Sequence, residues 1–200
     1  MSAGDARILS VNVGRTAKLT VAGGRTVLSG IRKQPVQGTV AALPLGLAGD
    51  EQADLSVHGG LAKAVYAYPS EHLPFWRAAR RERGVDLFDE PLPPGFMGEN
   101  LSLAGLLESD LWVGDTLRFD GTACVLRVTA PREPCGKFTA VVGFAQAAQL
   151  MVRTARCGFY LAVDSPGELC AGMAISVMPG ARGLSVPDAI RAKWARHRNG

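Results

Sequence analysis

Short strand-like segments separated by turn residues constrain the fold of this chain more than any other feature. Asp120-Gly121 is the strongest hairpin signal, because tight hairpin turns need residues that tolerate positive φ, and Gly23-Gly24 marks a second hairpin. Strands are predicted at residues 7–13, 18–21, 25–28, 39–43, 63–68, 116–119, 123–128, 158–163 and 171–178. Closely spaced short strands favour a closed or strongly curved β-barrel over a doubly wound sheet.

The helical signals are fewer and lie at the periphery of this pattern. Helices are predicted at residues 70–83, 144–156 and 187–197. Ser70 and Ser185 are the predicted N-caps of the first and third helices, and Gly84 is the predicted stop of the first. We therefore expect a mostly β domain with peripheral helices over residues 1–182, followed by a short C-terminal helical tail over residues 183–200.

The composition indicates an ordinary soluble globular protein. The 200 residues are 47% hydrophobic and 20% charged, and no apolar run approaches the roughly 20 residues that a membrane-spanning helix needs. The first residues lack the apolar core of a signal peptide, so a cytoplasmic location is expected. The formal net charge of +4 is mild and comes with no nucleic-acid motif. Neither a membrane nor a specific nucleic acid is therefore an expected partner.

Cys135 is the cysteine whose surroundings suggest chemistry. The four cysteines form no C-x-x-C pair, which argues against a zinc ribbon, a thioredoxin-type motif and a dense disulfide framework. Pro131 and Pro134 precede Cys135 and favour a stiff, irregular loop, and Arg132 and Lys137 flank it. Nearby cations favour the thiolate, which attacks electrophiles or binds a metal. The alternative is a small buried hydrophobe, which is the commoner role of a lone cysteine.

A second polar cluster precedes Lys63. Asp50, Asp54 and His58 recur every four residues, and on a helix they would share one face and could bind a metal. The surrounding glycines argue against a helix, so these side chains are predicted to organise the loop instead. Gly59-Gly60 followed by Lys63 predicts an anion cradle of backbone amides beside an ammonium group. The alternative is a plain glycine turn.

Glu99 and Asn100 form a third polar cluster after a glycine-rich loop. An acid and an amide together can hydrogen-bond the ring nitrogens and exocyclic amino groups of a heterocycle. The alternative is that both side chains satisfy nearby backbone donors.

Taken together in this order, the polar clusters resemble those of the MOSC domain family, named for the C-terminal domain of molybdenum-cofactor sulfurase. The resemblance covers roughly residues 7 to 180 and is strongest to the small stand-alone bacterial members that reduce N-hydroxylated bases such as hydroxylaminopurine. The matching motifs are Gly49-Asp50-Glu51-Gln52-Ala53-Asp54, His58-Gly59-Gly60, Lys63-Ala64-Val65-Tyr66, Gly98-Glu99-Asn100-Leu101, Gly114-Asp115 and Pro131-Arg132-Glu133-Pro134-Cys135.

This resemblance implies a MOSC-type β-barrel that binds the molybdenum cofactor (molybdopterin). It assigns Cys135 as the catalytic residue and molybdenum ligand, because a soft thiolate suits that metal. The implied cofactor-binding residues are Lys63 and Arg132 at the phosphate, Glu99 and Asn100 at the pterin edges, and the loop residues His58, Gly59 and Gly60. The implied activity is reduction of small N-hydroxylated compounds, including amidoximes. The sequence contains no flavin, haem or iron–sulfur motif, so a separate reductase is the expected electron donor.

A sulfur-carrier or cofactor-binding module is the alternative function. Cys135 would then carry a persulfide without redox turnover at a metal. Pyridoxal phosphate is not an expected cofactor, because the chain is too short to include the domain that binds it in the sulfurases. A β-barrel that has lost the cofactor is a third interpretation.

Overall fold

The computed structural model describes residues 6–53, 59–86 and 90–198, with side chains as far as residue 196. Within these ranges the strands are β1 (Arg7–Val13), β2 (Ala17–Thr20), β3 (Thr26–Ser29), β4 (Gln34–Pro35), β5 (Val40–Leu43), β6 (Gly46–Leu47), β7 (Val65–Pro69), β8 (Leu101–Ala104), β9 (Thr116–Phe119), β10 (Val125–Pro131), β11 (Phe159–Ser165), β12 (Gly167–Leu169) and β13 (Ile175–Met178). The α-helices are α1 (Leu73–Arg81), α2 (Gly136–Val142), α3 (Ala147–Thr154) and α4 (Val186–Arg198). Among the described residues, no helix has the length and apolar character to cross a membrane.

Eight strands form one mixed sheet in the order β13-β9-β10-β11-β7-β8-β1-β4, in which β7 and β8 run parallel. Backbone hydrogen bonds join Ile8 to Gly172 and Met173, so the start of β1 meets the segment that leads into β13. The contact is an isolated bridge between Arg7 and Ala174, and not a continuous strand pair. The sheet is therefore strongly curved, while the described strands do not close a complete hydrogen-bonded ring. The predicted mostly β fold with peripheral helices is confirmed.

Alternation along the strands builds the apolar core. In β1, Ile8 is fully buried, whereas its neighbour Leu9 is exposed. In β10, Leu126 and Val128 are fully buried. This pattern follows from the pleat, which sends successive side chains to opposite faces of the sheet. Polar side chains that are buried against this pattern therefore need a separate explanation, and several of them lie at one cleft.

The predicted helices correspond to α1, α3 and α4. The first begins later than predicted, because Ser70–His72 forms a 3₁₀ turn before α1 and Ser70 does not cap the α-helix. The predicted cap of the C-terminal helix is confirmed, since Ser185 Oγ accepts a hydrogen bond from the Asp188 amide at 3.2 Å. The second predicted helix is shortened at both ends, to Ala147–Thr154.

Two elements position the candidate site, and neither was predicted from the sequence. The first is α2, which begins directly after Cys135 and has only seven residues, too few for helical periodicity to be recognised. The second is β8, which begins directly after Asn100 and pairs with β7. This pairing brings Asn100 next to Tyr66, where the Asn100 amide donates to the Tyr66 carbonyl at 2.7 Å. Both elements therefore fix residues that the sequence had assigned to loops.

Candidate functional site

Most of the predicted site residues line one open cleft, which has about 600 Å³ of empty space. Its walls include Cys135, Arg132, Lys63, Asn100 and Gly59. Gly60 directly follows Gly59 in the sequence but is not part of the cleft lining, and Glu99 does not line the cleft either. His58 lies outside the described residues.

Cys135 enters the cleft from the short connection between β10 and α2. Its thiol is half-buried, and its carbonyl accepts a hydrogen bond from the Thr139 amide at 3.0 Å, which makes it the N-cap of α2. Lys193 of α4 also contacts this connection, through an ion pair with Glu133 at 2.7 Å. The cysteine is therefore held between the end of a strand, the start of a helix and the C-terminal helix.

Arg132 places a buried cation beside Cys135. Its guanidinium lies over the Phe138 and Tyr66 rings at 4.7 and 5.5 Å from their centroids. Burial acts to lower the pKa of Arg132, but the combined electrostatic influence of neighbouring tyrosine and cysteine side chains, Tyr66 first among them, raises it above the usual value. Nη1 is buried and has no hydrogen-bond partner within the described residues. A buried charged donor in this condition fits an anionic ligand in the cleft.

Lys63 lies at the end of a 3₁₀ turn, Leu61–Lys63, on another wall of the cleft. Its Nζ is 5.6 Å from the centroid of the Tyr160 ring. Gly59 and Gly60 precede the turn with φ of 135° and 77°, a region that side chains disfavour, and the Gly60 carbonyl accepts from the Lys63 amide. The glycine pair and the lysine therefore lie in one compact turn, as an anion cradle requires, and that role stays a prediction.

Glu99 is fully buried behind the cleft wall. Its Oε1 accepts hydrogen bonds from the Gly95 amide at 2.7 Å and the Ser102 hydroxyl at 2.8 Å. Burial raises the pKa of Glu99, although these hydrogen bonds oppose the effect. Oε1 thus stabilises the turn before β8, while Oε2 is buried without a partner among the described residues, and a contact of Glu99 with a heterocycle stays a prediction.

Asn100 lines the cleft, but its amide is engaged by the protein. Oδ1 accepts from the Tyr66 amide at 3.1 Å, and Nδ2 donates to Asp50 Oδ2 at 2.9 Å and to the Asn12 carbonyl at 3.2 Å. These bonds join β7, β8 and β1 at the floor of the cleft. A heterocycle edge would have to displace some of these bonds to bind Asn100 directly, so that predicted contact stays a prediction beside the structural role.

Asp50 organises the loop in which the sequence placed it. Its Oδ1 pairs with Lys33 Nζ at 2.5 Å and accepts from the Gly14 amide at 2.9 Å, and both charged side chains are almost fully buried. Asp54 and His58 lie outside the described residues, so the predicted trio is represented by Asp50 alone. No group of metal-binding side chains occurs among the residues that the structure describes.

The structure adds residues to the cleft that the sequence analysis had not assigned to it. These are Lys33, Gln52, Tyr66 and Tyr160. Tyr66 and Tyr160 are directly opposed partners on β7 and β11, with ring centroids 5.5 Å apart. Strand alternation predicts on which face of its own strand each tyrosine lies, but not that the two strands are neighbours in this register. Lys33 follows Arg32 without any motif, so no sequence signal identified it.

The chemistry of the cleft follows from this set of side chains. Lys33, Lys63, Arg132 and Lys137 supply positive charge, and the charge of Lys33 is neutralised by Asp50. The cleft also contains the Cys135 thiol, a soft donor for a metal such as molybdenum. The residues present therefore fit a ligand that combines an anionic group with a soft metal.

Comparison with known proteins shows similarity over most of the chain. The model of the MOSC domain family matches residues 54–176. "Uncharacterized protein YflK" of Bacillus subtilis is 34% identical over 193 residues, which cover 96% of this chain and 82% of that protein. "Protein YiiM" of Escherichia coli is 37% identical over 166 residues, 83% of this chain and 71% of that protein. A Gibberella moniliformis protein named "Reductase" is 34% identical over 190 residues, but these cover only 32% of its length.

Solved structures show the same likeness. The crystal structure of YiiM from Geobacillus stearothermophilus superposes with a TM-score of 0.71 at 27% identity, covering 98% of this chain and 86% of that one. YiiM from Escherichia coli superposes with a TM-score of 0.65 at 29% identity, covering 90% and 78%. The similarity thus extends well beyond the short motifs around the cleft.

Proposed function

The chain belongs to the MOSC domain family, and from that membership we propose that it is a molybdenum-cofactor-dependent reductase of N-hydroxylated compounds. A separate reductase supplies the electrons. The Gibberella protein named "Reductase", which contains a similar segment, supports an oxidoreductase activity in general. The name of that relative specifies neither a cofactor, nor a substrate class, nor an electron donor.

The observation that carries the proposal is the buried Arg132, whose Nη1 has no partner within the described residues, beside Cys135 in one cleft. A phosphate oxygen is a strong acceptor for such a donor. In this proposal Arg132 and Lys63 bind the phosphate of the cofactor, and Cys135 is the molybdenum ligand. When bound, the cofactor supplies a two-electron couple and an acceptor for the oxygen of the N–O bond.

Reduction of an N-hydroxyl group to N–H and water also consumes two protons, which the protein or the solvent must supply. Tyr160 lines the cleft, and burial raises the pKa of its hydroxyl, so the phenol stays protonated at neutral pH. It can therefore donate a hydrogen bond to the substrate oxygen. Lys63, whose Nζ lies near the Tyr160 ring, adds positive charge on the same wall.

Metal analysis tests the proposed cofactor most directly. Protein expressed with molybdate available is expected to contain about one molybdenum atom per chain and to reduce benzamidoxime or hydroxylaminopurine when a reductase supplies electrons. Sulfane sulfur on Cys135 without molybdenum would indicate a sulfur carrier instead. Protein with neither group would indicate a barrel that has lost the cofactor.

Replacing Arg132 with leucine is expected to lower the molybdenum content about tenfold or more, because a charge-assisted contact to phosphate is lost. Leucine can pack against the Phe138 and Tyr66 rings, so the variant is expected to fold. Arg127→Leu is the matched control, since Arg127 lies on β10, the strand that ends directly before Arg132, and its exposed side chain pairs with Asp164. Equal molybdenum content in a folded Arg132→Leu protein and in the control would contradict the assignment.

A further inference from the structure

The amide of Gln52 is oriented by the backbone around it. Its Nε2 donates hydrogen bonds to the Leu45 carbonyl at 3.0 Å and to the Ala64 carbonyl at 3.4 Å. The opposite orientation would place the amide oxygen against these two carbonyl oxygens, so the contacts define which end is nitrogen. Oε1 is thereby fixed as a hydrogen-bond acceptor.

This acceptor has no partner in the part of the chain that the structure describes. Gln52 Oε1 is buried, and Gln52 belongs to the wall of the cleft that also contains Cys135 and Arg132. Native proteins rarely leave a buried polar atom unpaired, and such atoms often mark a functional site. The two cleft side chains with an unpaired buried atom thus form a complementary set, with a donor on Arg132 and an acceptor on Gln52.

Other acceptors on the cleft wall are already engaged by protein donors. Asp50 accepts from Lys33 and Asn100, and Asn100 Oδ1 accepts from the Tyr66 amide. Glu51 Oε2 accepts from the amide and hydroxyl of Thr16. Gln52 Oε1, by contrast, is a buried acceptor on this wall that has no donor among the described residues. A ligand that presents an N–H or O–H group would satisfy it.

We propose that Gln52 is a specificity-determining residue, which accepts a hydrogen bond from an N–H or O–H group of the molecule bound in the cleft. This inference rests on the proposed function and deepens it. Gln52 would thus take part in reading the edge of a heterocycle, the role that the sequence predicted for Glu99 and Asn100. The donor group belongs either to the pterin ring of the cofactor or to the N-hydroxylated substrate, because both carry N–H or O–H donors.

The test replaces Gln52 with methionine, which has a similar length and no strong hydrogen-bond acceptor. Gln149→Met is the matched control, because Gln149 is an exposed residue of α3 outside the cleft. The readouts are molybdenum content, KM and kcat for hydroxylaminopurine in the loaded protein, and the thermal unfolding of cofactor-free protein. We expect cofactor-free Gln52→Met to unfold near the parent temperature, because the change also removes an unpaired buried atom.

The two sources of the donor give different results. A fall of about tenfold in molybdenum content identifies the cofactor as the donor. Normal content with a KM raised about tenfold and kcat within about twofold identifies the substrate. Either result supports the inference, provided that Gln149→Met matches the parent.

Two results would overturn it. One is a loaded Gln52→Met protein that matches the parent in content, KM and kcat. The other is a Gln52→Met protein whose sole change is a lower unfolding temperature in the cofactor-free state. That result would indicate a structural role for the contacts with Leu45 and Ala64. Gln52→Ala is measured in the same way if the methionine variant does not fold. If the parent protein contains no molybdenum, the proposed function itself fails. If the parent contains molybdenum and Gln52→Met matches it, only the inference about Gln52 fails.

Discussion

Cys135→Ser is expected to abolish the reduction of hydroxylaminopurine and benzamidoxime. A serine hydroxyl stays protonated near neutral pH and is a far poorer ligand for a soft metal than a thiolate. The fold is expected to remain intact, because residue 135 is the N-cap of α2, a position that serine favours. The measurement is steady-state reduction by purified protein that has been reconstituted with cofactor and supplied with electrons.

Cys170→Ser is the matched control for this change. Cys170 is partly exposed and lies directly after β12, outside the cleft. The control is expected to keep the activity of the parent. If reconstituted Cys135→Ser also kept most of the activity, Cys135 would lose its assigned role.

Asp50→Asn is expected to lower the free energy of unfolding by about 3–5 kcal/mol, because it leaves the buried Lys33 ammonium without its counter-charge. In the parent protein, Asp50 accepts hydrogen bonds from Lys33 and Gly14 through one oxygen and from Asn100 through the other. Asparagine replaces one of these oxygens with an NH₂ group, which would then face a group that is itself a donor. Equilibrium unfolding in urea, on protein prepared without cofactor, measures the change.

The neighbouring carboxylate provides the control for Asp50. Glu51→Gln is expected to cost much less stability, because Glu51 is hydrogen-bonded to Thr16 at the surface. The double variant Lys33→Met with Asp50→Asn is expected to regain part of the loss, since no charge is then buried alone. An Asp50→Asn protein as stable as the parent would show that the pair does not hold the cleft floor together.

Several elements with local turn or cap signals were predicted from the sequence with little error, although Ser70 does not cap α1 as expected. The strand at 116–119 and the Asp120-Gly121 turn agree with β9 and the start of its hairpin with β10, and Ser185 caps α4 as expected. Turn and cap chemistry depends on a few consecutive residues, so it can be read without knowledge of the rest of the chain. By contrast, β8 and α2 carry no such signal, because each is short and follows a polar segment.

The residues of the candidate site also divide into those that the sequence identified and those that only the structure brought to the cleft. The sequence by itself determined that Cys135 follows a proline-containing connection beside Arg132, and that Lys63 follows a glycine pair. Only the tertiary structure decided which other side chains share the cleft with them. Lys33 and Gln52 come from loops whose place is set by long-range hydrogen bonds and an ion pair. Tyr160 faces Tyr66 because β11 pairs with β7 in one particular register, and burial across the whole sheet selects that register.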